Sequence, residues 1–259
     1  MLKRIISGVL GIPILITVVW YGGYLLYLSL LIVSLIGIHE FYIAFKSKNI
    51  HPIRWIGYII TLIILSDFYF SGTQGRILFL LVATTLLISI ILLINNKYNI
   101  IDGAVTLYGI IYVGIFLGHI ILISNSDKEA YIWLAFITAW ASDTFAYFAG
   151  NFFGKRKLCP TISPKKTVEG AIGGGLGSML SCGIFGYLVI GENILAIIII
   201  GLIGSIFSML GDLTASIIKR HIGIKDYGNL IPGHGGILDR FDSILFTAPF
   251  VYYAITLLK

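Results

Sequence analysis

Of the 259 residues, 58% are hydrophobic and 12% charged, against about 25% charged in a typical soluble domain, which leaves too little polar surface for a water-soluble globule. The 18 Lys and Arg against 12 Asp and Glu give a net charge of +6. These cations sit in short breaks between apolar runs rather than on one amphipathic face, which argues for membrane topology and anionic ligands and against a nucleic-acid partner.

Apolar runs long enough to cross the hydrocarbon core predict nine helical spans, at 5–21, 24–45, 53–70, 77–94, 103–123, 131–150, 168–190, 194–215 and 242–258. The fold class expected is all-α, a polytopic transmembrane helical bundle. The first span follows Lys3 and Arg4 and looks like a signal peptide, but no small-residue cleavage site follows it and Gly22-Gly23 leads straight into the next span, so it is read as a membrane helix. The breaks alternate between basic and nearly uncharged. One side collects 15 of the 18 cations, and the other has only Arg76, Lys128 and Lys259. By the positive-inside rule the N-terminus and the basic loops are cytoplasmic, and nine spans put the C-terminus outside. The segments lack the alternating polarity of a transmembrane barrel, and no sheet pattern is expected. Cys159 and Cys182 form no C-x-x-C pair and no spaced framework, so ordinary thiols are expected rather than a disulfide or zinc site.

Chemistry is expected around two longer basic loops, 151–167 and about 216–241. Asp143, inside an apolar helix, is costly as an ion unless it faces a cavity, a metal or a cation. Glu40 and Asp67, near span ends, are explained by interfacial solvation and receive no role. Ser163, Lys165, Lys166 and Thr167, followed by Glu169, are read as the N-terminus of a helix, where amide donors and lysine charge suit a phosphate. Lipid-headgroup anchoring is the bland alternative. Gly170, Gly173, Gly174, Gly175 and Gly177 lack the ending of a P-loop, and their four-residue spacings suit close helix packing.

The densest constellation runs from Asp212 through Ser216, Lys219, Arg220, Lys225, Asp226, His234, Gly235, Gly236, Asp239 and Arg240 to Asp242. Carboxylates at 239 and 242 share a helix face. Hard oxygen ligands suit Mg²⁺, which keeps waters and takes further ligands from substrate phosphates. The surrounding cations suit a triphosphate, as phosphoryl or nucleotidyl transfer requires. The Pro232-Gly233-His234-Gly235-Gly236 run predicts a tight turn with backbone donors. His234 serves there as a phosphate contact or acid, or simply holds the turn.

At this stretch the sequence resembles the phosphatidate cytidylyltransferases, whose signature is matched without a gap by Ser216, Lys219, Arg220, Lys225, Asp226, Gly228, Ile231, Pro232, His234, Gly235, Gly236, Asp239, Arg240 and Asp242. Asp143 with its Thr-Phe-Ala-Tyr context and the segment Ser163–Gly170 also look like family segments. The resemblance covers about 138–242 within a single integral-membrane catalytic domain of 259 residues, while the N-terminal spans, 1–130, match only in hydropathy and number. It implies transfer of the cytidylyl group of CTP to phosphatidate, giving CDP-diacylglycerol and pyrophosphate with Mg²⁺. It implies metal ligation by Asp212 and Asp239. Asp242, Asp226 and Asp143 are then expected to support the metal's ligands or to serve as alternate ligands themselves. Lys165, Lys166, Lys219, Arg220, Lys225 and Arg240 are expected on the phosphates of CTP and lipid. A second cation, a homodimer and a different lipid acceptor stay open. A transporter coupling ions through Asp143 and Asp212 is disfavoured, because no inverted repeat is visible and the charges gather at one face.

Overall fold

The computed structural model of the chain describes residues 2–233 and 235–258, and each stretch expected to span the membrane is helical. The helices are α1 (Leu2–Tyr21), α2 (Gly23–Ala44), α3 (Arg54–Ser71), α4 (Ile77–Ile94), α5 (Ile100–Gly109), α6 (Phe116–Ser124), α7 (Ile132–Phe153), α8 (Val168–Phe185), α9 (Ile194–Ile222) and α10 (Leu238–Thr256). A π-helical stretch, Ile110–Ile115, makes α5 and α6 one continuous rod. Hydrocarbon offers no water to the backbone, so apolar runs of this length satisfy their N–H and C=O groups internally, as helices. The all-α expectation is borne out. By length and hydropathy alone, five stretches among the described residues can cross a membrane: Gly23–Lys48, Ile77–Ile94, Ile100–Ser124, Val168–Ile190 and Ile194–Ile222. Polar residues lower the mean hydropathy of others, among them Arg54 and Asp67 on α3, Asp143 on α7, and Asp239, Arg240 and Asp242 on α10.

The chain divides into two compact units, Met1–Ser126 with His221–Arg240, and Asp127–Arg220 with Phe241–Lys259. In the first, Ile38, Phe41 and Tyr42 of α2 are fully buried, as are Ile56, Ile64 and Leu65 of α3. The Tyr42 hydroxyl donates to the Thr106 carbonyl at 2.7 Å, which gives the one polar atom of that side chain a partner. The start of α5 is closed by a capping box: Asn99 accepts from Ile101 and Asp102 N–H, and Asp102 accepts from Asn99 N–H.

In the second unit the glycines of α8 let two helix backbones meet. A Cβ on Gly170 would lie 2.9 Å from the Ala146 carbonyl, and one on Gly174 would lie 2.8 Å from that of Ser142. Close packing is therefore what this glycine spacing provides, as expected. Ser178 donates to the Gly201 carbonyl at 2.8 Å, and Thr247 to that of Ala135 at 2.9 Å, which ties α8 to α9 and α10 to α7.

One expectation needs correcting. A short antiparallel hairpin pairs β1 (Lys157–Cys159) with β2 (Ser163–Thr167), so Ser163, Lys165 and Lys166 lie on a strand and not at a helix N-terminus. The helix begins one residue after the strand. Thr167 is extended, with φ −123° and ψ 157°, and its hydroxyl accepts the Gly170 N–H at 3.0 Å, the geometry of an N-cap.

Candidate active site

In the second unit α7, the hairpin, α8 and α9 surround a cavity of about 630 Å³, lined by Asp143, Lys157, Lys165, Lys166, Thr167 and Asp212 among others. The close approach of α7 and α8 fixes one wall. Lys157 and the adjacent Lys165 and Lys166 of the hairpin line the opening, Lys165 exposed and Lys166 half-buried, while Thr167 at the strand's end is buried. The Lys166 ammonium meets the Asp212 carboxylate at 2.6 Å. Both side chains are about one-quarter exposed, at 23% and 30%, so the pair is open to the cavity and exchangeable.

Two further acids belong to this unit. Asp143, an exposed residue of α7, accepts a hydrogen bond from the Ser243 hydroxyl at 3.1 Å. Asp242, on α10, accepts the N–H of Ser243 at 2.8 Å and feels the charges of Asp212, Lys219 and Asp143. Ser216, one turn beyond Asp212 on α9, has its hydroxyl 3.5 Å from that carboxylate. Asp143, Asp212 and Asp242 are thus gathered with Lys166 and Lys219. Arg220 is exposed at the end of α9.

Glu169 has a different task. Its carboxylate accepts the N–H groups of Lys155 at 3.0 Å and Arg156 at 3.2 Å, tying the chain that leaves α7 to the first turn of α8. Thr167 likewise serves as cap. Both belong to the segment expected at a phosphate, and in the structure both make backbone bonds beside the cavity.

The rest of the signature lies in the first unit. Pro232 and Gly233 enter a tight turn closed by Ile231 N–H donating to the Gly235 carbonyl at 2.9 Å. Gly233 and Gly235 sit at φ 79° and 86°, in the left-handed region where a side chain is disfavoured. His234 lies outside the described residues. Asp239 is 5% exposed, and its Oδ2 accepts the N–H groups of Tyr227 at 2.8 Å and Gly236 at 3.0 Å. Lys225, Asp226 and Arg240 are exposed on the same segment.

Glu40 receives no role from sequence, yet interfacial solvation does not describe it. It is 7% exposed, and its two oxygens accept the N–H groups of Ile237 at 3.0 Å and Leu238 at 2.9 Å. These are donors at the start of α10, which has no helical carbonyl for them, and a carboxylate there also suits the helix dipole. The carboxylate backs directly onto Gly228 and Gly236, where a Cβ would collide with it. The signal available in sequence was the acid itself, inside an apolar run.

The donor set fits a hard divalent cation. Mg²⁺ takes one or two carboxylates and completes its shell with waters and phosphates. The Asp212 carboxylate already faces a cation, the Lys166 ammonium, on the cavity side. Among the described residues no three His, Cys, Asp or Glu side chains form a metal-holding group of their own, so substrate oxygens would have to supply the remaining ligands.

The chain matches the model of the cytidylyltransferase family over residues 2–258. It is 34% identical over 264 residues to a phosphatidate cytidylyltransferase of Bacillus subtilis, covering 99% of this chain and 98% of that protein. Proteins of the same name from Staphylococcus haemolyticus and Staphylococcus saprophyticus are 35% and 37% identical, each over 95% of both chains.

Proposed function

The chain belongs to the cytidylyltransferase family and is a membrane-embedded nucleotidyltransferase, and from that premise we propose that it transfers the cytidylyl group of CTP to phosphatidate. The observation that carries the proposal is the open Lys166–Asp212 pair in a cavity lined by Lys157, Lys165 and Asp143. A phosphate entering that cavity meets three ammonium groups, and Lys166 can leave Asp212 for it at little cost, since a partly exposed ion pair is worth about 1 kcal/mol or less.

In the proposed step an oxygen of the phosphatidate phosphate attacks the α-phosphorus of CTP in line. The new bond joins that oxygen to the α-phosphorus, the bond from the α-phosphorus to the bridging oxygen breaks, and pyrophosphate carries away the electron pair. The attacking oxygen is already an anion, so no side chain need remove a proton. Lys157, Lys165 and Lys166 hold phosphate oxygens and keep the two anions close despite their repulsion. Asp212 and, by the family resemblance, Asp239 are proposed as Mg²⁺ ligands; bound Mg²⁺ would screen charge on the phosphates. Asp143 and Asp242 hold the surrounding polar groups. Lys219, Arg220, Lys225 and Arg240 are proposed phosphate contacts. The orientation read from the basic loops belongs to the same proposal: N-terminus and loops in the cytoplasm, where CTP is, and C-terminus outside.

The test is incorporation of labelled CTP into organic-extractable product by purified protein in mixed micelles. Product that requires both phosphatidate and Mg²⁺, and is lost in EDTA, is expected. Incorporation only with a different lipid phosphate or alcohol would move the acceptor, and none with any acceptor would reject the transfer.

A further inference from the structure

A second cavity, of about 500 Å³, lies within the first unit, lined by His39, Lys46, His51, Arg54, Trp55 and Lys97 together with tyrosines 42, 58 and 98. None of these residues belongs to the signature or to the cavity described above. Three cations converge here from three separate breaks in the chain: Lys46 after α2, Arg54 at the first position of α3, and Lys97 between α4 and α5. All three are exposed residues that line the cavity. Among the described residues the ion pairs are Arg76 with Asp67 and Lys166 with Asp212, so none of these three cations is neutralised by a carboxylate. Asp102, bonded to the lining residue His51, is 1% exposed and engaged with the backbone, accepting the N–H of His51 at 2.6 Å and that of Asn99 at 2.8 Å.

A second observation points to the same kind of ligand. The α5 helix has its N-terminal donors closed by a capping box, whereas α3, whose first residues Arg54 and Trp55 line the cavity, has no side-chain cap. An uncapped helix start presents N–H groups and the positive end of the dipole. Three cations with no carboxylate partner among the described residues, Lys97 resting over the Tyr98 ring at 5.8 Å, suit a phosphate around such a start. The aromatic wall is equally specific. Trp55, Tyr58 and Tyr98 are amphipathic rings of the kind found at headgroup depth, and the His39 ring nitrogen and Tyr58 hydroxyl lie 2.6 Å apart, holding that wall in place.

We infer that this cavity is a phosphate-binding site whose ligand is the headgroup of an anionic membrane phospholipid, separate from the transfer reaction. Inorganic phosphate shares the headgroup's chemistry but lacks its chains. Each cation near an anionic headgroup contributes about fivefold in affinity, so removing all three is expected to weaken binding on the order of a hundredfold.

The experiment is native mass spectrometry of the full chain released from phosphatidylcholine micelles containing phosphatidylglycerol, without CTP. The wild type is compared with Lys46→Gln/Arg54→Gln/Lys97→Gln and with the charge-keeping Lys46→Arg/Arg54→Lys/Lys97→Arg. One retained phosphatidylglycerol, lost in the first variant and kept in the second, supports the site. Where the triple variant fails to fold, the single Lys97→Gln on an exposed turn decides by its about fivefold effect. A parallel arm adds inorganic phosphate in millimolar excess: persistence of the lipid identifies the headgroup in its bilayer, and displacement identifies phosphate itself as a sufficient ligand. Equal lipid retention by wild type and charge-removed variants would overturn the inference.

Discussion

Asp212 in the second unit and Asp239 and Glu40 in the first are held in opposite ways. In the second, Asp212 is spent on another side chain, the Lys166 ammonium, at the rim of a cavity. In the first, Asp239 and Glu40 are spent on the backbone, taking two N–H groups each from the segment that leads into α10. A side-chain partner on a flexible stem can be exchanged for a ligand. A buried backbone partner cannot, because losing its acceptor leaves a donor with nothing to replace it. The same residue type therefore holds backbone amides in one place and an exchangeable side chain in the other.

Substitutions can break that comparison. Asp239→Ala should cost the most stability, because two amides lose their acceptor at about 1 to 3 kcal/mol each, or about 2 to 6 kcal/mol together. Chemical denaturation in detergent reads it, and a change below about 1 kcal/mol would show that the loop does not depend on this carboxylate. Glu40→Gln keeps one acceptor oxygen and loses the charge, so an intermediate cost of about 1.5 to 3 kcal/mol is expected, with faster proteolytic cutting between residues 223 and 237. Unchanged cutting would mean that the segment holds itself. Lys166→Ala should barely move stability, by less than about 1 kcal/mol. It should raise the KM for one phosphate substrate about tenfold through the loss of a charged contact. An unchanged KM for both substrates would return Lys166 to anchoring at the headgroups.

The helices were legible because hydrocarbon leaves the backbone one inexpensive solution and apolar runs announce it. The helix-packing glycines of α8 were legible for a related reason, since their four-residue spacing is a local pattern. Partners distant in sequence were not. Glu40 meets Ile237 and Leu238 across nearly 200 positions, and although an acid inside an apolar run is itself a signal, nothing local to either end names the partner. The hairpin was hidden too. Its second strand, Ser-Pro-Lys-Lys-Thr, has no alternating polarity, no aromatic residue and a single β-branched one, Thr167. Of the candidate site, Asp143, Lys165, Lys166 and Asp212 come together in one cavity. The roles of Thr167 and Glu169 in shaping it emerge only from their backbone partners.

The most direct measurement pairs turnover with stability in one preparation of Asp212→Asn. Expected is a loss of labelled CTP incorporation on the order of a hundredfold to a thousandfold, as when a charge-stabilising group is removed from a transfer site, with a denaturation midpoint matching the wild type. Wild-type incorporation by Asp212→Asn, or a protein that no longer folds, would contradict the assignment of this carboxylate to chemistry rather than to structure.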